Sequence, residues 1–169
     1  RKGVVTLRAD EYARKAFIYA NRSIRISQEA PVVDREFKWL PFQIAFQLLN
    51  LNGLFAMQEG DVYRNERDIV DLAWFPTGGG KTEAYFGVIA LTTFLRRIRM
   101  KNNSGGTTAL MRYSLRLLTV QQFQRASSLI CACESIRSET PELGEDPITI
   151  GLYVGTGLTP NQHKGGGYG

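Results

Sequence analysis

The sequence predicts an α/β fold: a parallel sheet with flanking helices around a phosphate-binding loop, preceded by an N-terminal accessory helix. Three observations predict it. Apolar runs of strand length at 69–75, 107–112 and 148–154 alternate with helical patterns at 82–100 and 115–137. A glycine loop, T-G-G-G-K-T, joins the first run to the first of those helices. The segments after each run, Thr77–Thr82, Ser114–Gln121 and Gly155–Thr159, would then share the carboxyl edge of one sheet, where ligands of such folds gather.

Asp10 to about Ser27 reads as a helix, with Tyr12, Ala13, Ala16, Phe17 and Ala20 at helical spacing and Asp10 at its N-cap. Glu29–Lys38, with Pro31, reads as a loop. Pro41 suits the first position of a second helix, in which Phe42, Ala45, Phe46 and Leu49 form the apolar face. Gln43 falls in the first turn, off that face and near the loop. Its amide donates and accepts, as the edge of adenine requires, and it equally suits an ordinary surface glutamine. Gly53–Asp68 is a polar connection.

Ile69–Phe75 is nearly continuously apolar, as in a strand buried on both faces, and Pro76 stops it. Thr77, Gly78, Gly79 and Gly80 carry little side-chain bulk, so backbone N–H groups can turn towards an anion. Lys81 and Thr82 open a helix whose N-terminus adds unpaired donors and partial positive charge. In such a loop Lys81 reaches the β- and γ-phosphates of ATP and the Thr82 hydroxyl ligates Mg²⁺. The helix to Met100 is apolar almost all round, which predicts burial against a sheet and a further element. Arg96, Arg97, Arg99 and Lys101 at its end complement the helix dipole. Ser114 can cap the next helix, Leu115 to about Arg137. Glu139–Pro147 is an acidic loop, and 164–169 is too glycine-rich to hold a conformation alone.

The 169 residues suit one domain with its own core. With 43% hydrophobic and 22% charged residues the composition is that of a globular protein. No apolar run is long enough to cross a bilayer and no secretory signal is visible, so no membrane role and a cytoplasmic location are expected. A net charge of +5 suits a polyanionic partner without requiring one. Cys131 and Cys133, two apart on a helix, point in different directions and read as unpaired thiols. With His163 the only histidine, they do not make a metal site.

The constellation resembles the first RecA-like lobe of superfamily 2 helicases. The usual A-x-T-G-x-G-K-T of their first motif is matched by F-P-T-G-G-G-K-T except at Phe75. S-L-R-L-L-T-V-Q is similar to P-T-R-x-L-x-x-Q, keeping Arg116, Leu118 and Gln121, with Ser114 and Leu115 in place of Pro-Thr. Gly155, Thr156 and Gly157 resemble the small glycine motif, and P-F-Q resembles the upstream adenine-reading glutamine. More narrowly, W-F-P-T-G-G-G-K-T-E-A-Y, L-M-R-Y-S-L-R-L-L-T-V-Q-Q-F-Q-R-A and G-L-T-P-N resemble the helicase subunit of the bacterial DISARM anti-phage system.

The resemblance implies a partial RecA-like P-loop NTPase lobe at 37–169, with residues 1–36 as accessory helix and loop. It implies ATP and Mg²⁺ bound by Gln43, Thr77, Gly78, Gly79, Gly80, Lys81 and Thr82, with Lys81 and Thr82 serving catalysis. Ser114, Arg116, Gln121, Gly155, Thr156 and Gly157 would hold single-stranded or partly duplex DNA. The implied activity is that of an ATP-dependent helicase or translocase, working with a partner subunit of the defence complex. The acidic D-E-x-H type motif of these motors has no counterpart downstream of Lys81, and the arginine fingers of a second lobe are missing too. A piece of a longer protein, inactive by itself, is therefore expected. Two other classes fit the loop: a P-loop NTPase or small-molecule kinase unrelated to nucleic acid, and a nucleotide-binding scaffold module.

Overall fold

The computed structural model describes residues 1–29, 37–59, 70–72, 74, 76, 78–112 and 116–153. Its regular structure is helical: α1 (Lys2–Ala9), α2 (Glu11–Glu29), α3 (Pro41–Glu59), α4 (Lys81–Met100) and α5 (Arg116–Ser138), with single 3₁₀ turns at Lys101–Asn103 and Pro141–Leu143. The single N-terminal helix expected from the sequence is two. They meet at Asp10, whose Oδ1 accepts from the Ala13 amide at 2.7 Å and caps α2.

Among the described residues there is no strand and no sheet, which corrects the α/β, parallel-sheet, RecA-like prediction. Of the first expected strand, Val70, Leu72 and Trp74 are 92, 84 and 87% exposed. Residues 107–112 and 148–153 have no regular assignment, and Leu110 and Tyr153 are exposed. A strand exists through a ladder of hydrogen bonds to a neighbour. An apolar, β-branched run signals an extended segment, but it cannot supply that neighbour.

The core lies instead between helices, with α4 at its centre. Phe86, Leu91, Phe94 and Leu95 are fully buried, each such side chain contributing roughly 1.5–3 kcal/mol. The all-round apolar surface of α4 is thus covered as expected, but by α2, α3 and α5 rather than by a sheet. α2 brings a seam of small residues to the core, with Ala13, Ala16, Ala20, Ser23 and Ser27 all buried. Small side chains let the two backbones approach, and Phe94 then reaches Tyr19 at 5.5 Å between ring centroids.

Chain direction follows from the cross-helix contacts. Gln43 meets Gly80 and Gln47 meets Gly87, so α3 runs parallel to α4. Glu83 meets Arg125 in the first half of α5, and Arg97 bonds Pro147, nine residues past the end of α5, so α5 is parallel too. Asp10 lies 3.8 Å from Arg99, which makes α2 antiparallel. The N-termini of α3, α4 and α5 therefore share one end of the molecule.

α3 is turned relative to expectation. Its buried line is Gln43, Gln47 and Leu51, with Asn52, whereas Leu49 is 67% exposed. The polar residues face inward because they have partners there. Gln43 bonds Gly80, the Asn21 amide donates to Gln47 at 3.3 Å, and Thr6 donates to Asn52 at 2.6 Å. Phe46, from the expected apolar face, sits edge-on to Tyr85 at 5.6 Å.

The acidic segment after α5 is tied down rather than loose. Glu134 accepts from the Ile148 amide at 2.7 Å and from the Arg137 guanidinium at 2.6 and 2.8 Å. Arg137 also donates to the Gly144 carbonyl at 2.9 Å. Glu142 accepts from Lys15 at 2.8 Å and Tyr19 at 2.7 Å, while Leu143 and Ile148 are buried beneath. The Arg97 side chain is buried, donating to Ser104 at 3.0 Å and to the Pro147 carbonyl at 2.9 Å. Arg96 donates to the carbonyls of Thr107 and Gly105. Arg96 and Arg97 at the end of α4 thus tie down the loops around it, while Arg99 lies against Asp10.

Candidate phosphate-binding loop

The loop before α4 closes through Pro76, whose carbonyl accepts from the Gly79 amide at 3.1 Å. Gly78 and Gly80 both take φ +82°, in the left-handed region that favours glycine. Gly80 is the N-cap of α4, and no side chain caps that terminus. The first amides of such a helix have no acceptor within the helix itself. Lys81 folds back over the loop and its Nζ donates to the Pro76 carbonyl at 3.2 Å. Thr82 follows on the first turn, half-buried.

These features fit a phosphate chain. Left-handed glycines allow a loop to turn backbone amides towards an anion, and an added Cβ at Gly78 would meet nothing within 4 Å, so the approach there is open. The lysine is already turned towards the loop. Among the described residues no group of three or more His, Cys, Asp or Glu could hold a metal by itself. A cation here would be held by Thr82 together with the phosphates it accompanies.

Gln43 stands directly behind the loop. It is the third residue of α3, and its Oε1 accepts from the Leu40 amide at 2.8 Å, which is half of a capping box. Its Nε2 donates to the Gly80 carbonyl at 2.8 Å. The sequence did not foresee its burial, at 3% exposure.

Two residues that sequence reasoning passed over also belong to this end. Glu83, in the first turn of α4, pairs with Arg125 of α5, whose guanidinium lies 5.8 Å from the centre of the Phe86 ring. The signal was present in K-T-E, since an acidic residue in a first turn favours a helix N-terminus. The partner, 42 residues on, was not legible.

Thr77, Ser114, Gly155, Thr156 and Gly157 lie outside the described residues, as does the side chain of Arg116. Arg116 opens α5, nine residues before Arg125 and thus about 13 Å along the helix axis from it. Its helix start is therefore at the same end as the loop. Gln121 is exposed on α5. A shallow, mainly apolar recess of about 510 Å³ lies between α1 and α2, lined by Val4, Leu7, Arg8, Arg14, Phe17 and Ile18, away from the loop. No helix among the described residues is long and apolar enough to cross a membrane.

No protein-family model matches the chain. The chain is 39% identical over 184 aligned positions to the DISARM protein DrmA of Bacillus paralicheniformis, a match covering 96% of this chain and 16% of that protein. It is thus related, along nearly all of its own length, to a part of DrmA, and it spans about one sixth of that relative's length.

Proposed function

We propose that this chain, a relative of part of DrmA, binds ATP with Mg²⁺ at Gly78–Thr82 and serves a DNA-dependent ATPase, a helicase or translocase, in DISARM anti-phage defence. One observation carries the reading. T-G-G-G-K-T stands at the uncapped start of a long buried helix, with two left-handed glycines and Lys81 turned over the loop. Lys81 would neutralise the β- and γ-phosphates, and Thr82 would hold the metal that spreads the charge of the transferring group. The relationship to DrmA supports the defence role. The partner would be another subunit of that system, and DNA would meet Arg116 and Gln121 at the start of α5.

The test is Lys81→Ala in the full-length protein, with ATP affinity and DNA-stimulated hydrolysis measured beside thermal stability. Both activities should be lost while the melting temperature stays put, because the bond from the Lys81 ammonium to the Pro76 carbonyl lies at an exposed position outside the core. Undiminished turnover would remove the loop from the reaction. Nucleotide binding that survives without DNA stimulation would favour a nucleotide-binding scaffold instead.

A further inference from the structure

We propose that the recess between α1 and α2 seats an amphipathic helix with acidic side chains, supplied by the same full-length polypeptide from outside residues 1–169. The proposal is independent of the nucleotide reading. On α1, Val4, Leu7 and Arg8 stand at i, i+3 and i+4, and on α2 Arg14, Phe17 and Ile18 do the same. Each helix thus presents one stripe, and the two stripes line a recess of about 510 Å³. The opposite sides of both helices are already committed. Gly3 lies against the Leu48 carbonyl and Thr6 donates to Asn52, while Ala13, Ala16 and Ala20 are in the core. Ile18 and Val4 are left 60 and 38% exposed.

Charge selects the occupant. Among the described residues no carboxylate pairs with Arg8 or Arg14. The nearest acidic residues in sequence are engaged elsewhere: Asp10 caps α2 and lies 3.8 Å from Arg99, and Glu11 is 3.3 Å from Lys15. Arg14 gives Nη1 to the carbonyls of Leu7 and Arg8, at 3.1 and 2.9 Å, which holds its guanidinium at the end of α1 where Arg8 also sits. Two positive charges beside four apolar side chains match a helix whose apolar stripe is bordered by Asp or Glu. Size then says where that helix comes from. Six lining residues are far fewer than the roughly 20–30 a side of a stable free complex. A tethered segment needs less contact, because attachment gives it an effective concentration on the order of millimolar. DrmA has ample chain for such a segment, since the match takes up 16% of it.

The experiment places the photo-crosslinking residue p-benzoylphenylalanine at position 18 of the full-length protein and maps the product by mass spectrometry. The expected product is a single chain in which position 18 is joined to a helix outside residues 1–169, with apolar residues three and four apart and a carboxylate beside them. A product with a second copy, another protein or lipid would overturn the proposal. So would a segment without carboxylates, or no defined product. Should that variant not fold, the same residue at position 4 asks the same question. Charge is tested with Ile18→Cys, where the rate of alkylation at position 18, read by peptide mass, reports how often the recess is uncovered. Adding Arg8→Glu should raise that rate about threefold, the scale of an exposed ion pair, and lysine at the mapped carboxylate should restore it. A rate unchanged by Arg8→Glu would overturn the proposal.

Discussion

Gly87 faces Gln47 across the contact between α3 and α4, and an added Cβ would stand 2.6 Å from Gln47 Nε2. That nitrogen is buried and makes no hydrogen bond. Gly87→Ala should therefore destabilise the protein by about 1–3 kcal/mol through overpacking, despite the better helix propensity of alanine. Gln47→Ala should recover part of the loss in the double variant, since it removes the obstructing atoms. Denaturant unfolding of the four proteins in a double-mutant cycle checks this, and strict additivity would count against the contact. The thiols make a second residue-level test. Burial pushes Cys133 up to about 12, against a smaller opposing effect of its hydrogen bond with Ser23, while Cys131 is exposed. Under native conditions at neutral pH an alkylating reagent should label Cys131 alone, with Cys133 reacting only after unfolding. Arg116 belongs to this scale as well. If it holds a nucleic-acid phosphate, Arg116→Ala should weaken single-stranded DNA binding about equally for all sequences. The salt dependence should become shallower by about one contact, with ATP affinity unchanged. An unchanged salt slope with unchanged affinity would take it off the binding track.

At the scale of elements, the segment after α5 is fastened by carboxylates. Glu134 is held below the usual carboxylate range by its hydrogen bonds with Arg137, then by the Ile148 amide. Glu142 is held below it by Lys15 and then Tyr19. A depressed folded-state value means stability that is present above the unfolded value, about 4.3, and lost as pH falls through the folded one. Both groups are about a third exposed, so the effect is modest. Thermal melting between pH 6 and 3 should show wild type above Glu134→Gln at the upper end, with the curves converging towards the lower. Parallel curves would mean the clip contributes nothing through charge. α1 is attached differently, through the close approach of Gly3 to the Leu48 carbonyl, which an added Cβ would overlap. Gly3→Ala should loosen α1 from α3, seen as faster amide exchange over Lys2–Ala9 with the core of α4 still protected.

For the whole molecule, the helices were the legible part. Proline and glycine placed the starts of α3 and α4 within a residue, and periodicity found α5. The sheet was misread because a strand is a relation between segments. Val70–Trp74 and 107–112 carry the composition of strands, and that composition holds no information about a neighbour. The inward face of α3 was illegible for a related reason. Gln43, Gln47 and Asn52 read as surface residues until Gly80, Asn21 and Thr6 are brought to them from 37, 26 and 46 positions away. At the candidate site the local piece, glycines with Lys81 and Thr82, could be read directly. What lay behind it, the double engagement of Gln43 and the pairing of Glu83 with Arg125, depended on packing.

The alanine seam of α2 makes substitution strongly one-sided. Ala13, Ala16 and Ala20 have no exposed surface, whereas Tyr12 and Ile18 beside them are at least half exposed. In a library sampling every amino acid at each position of α2, the three alanines should admit serine or glycine and little else. Their outward neighbours should admit most polar residues. The register of tolerated changes would then repeat with the helical turn, and the helix could be oriented against its partner by counting survivors alone. A flat tolerance profile along α2 would mean that its backbone does not lie close against α4.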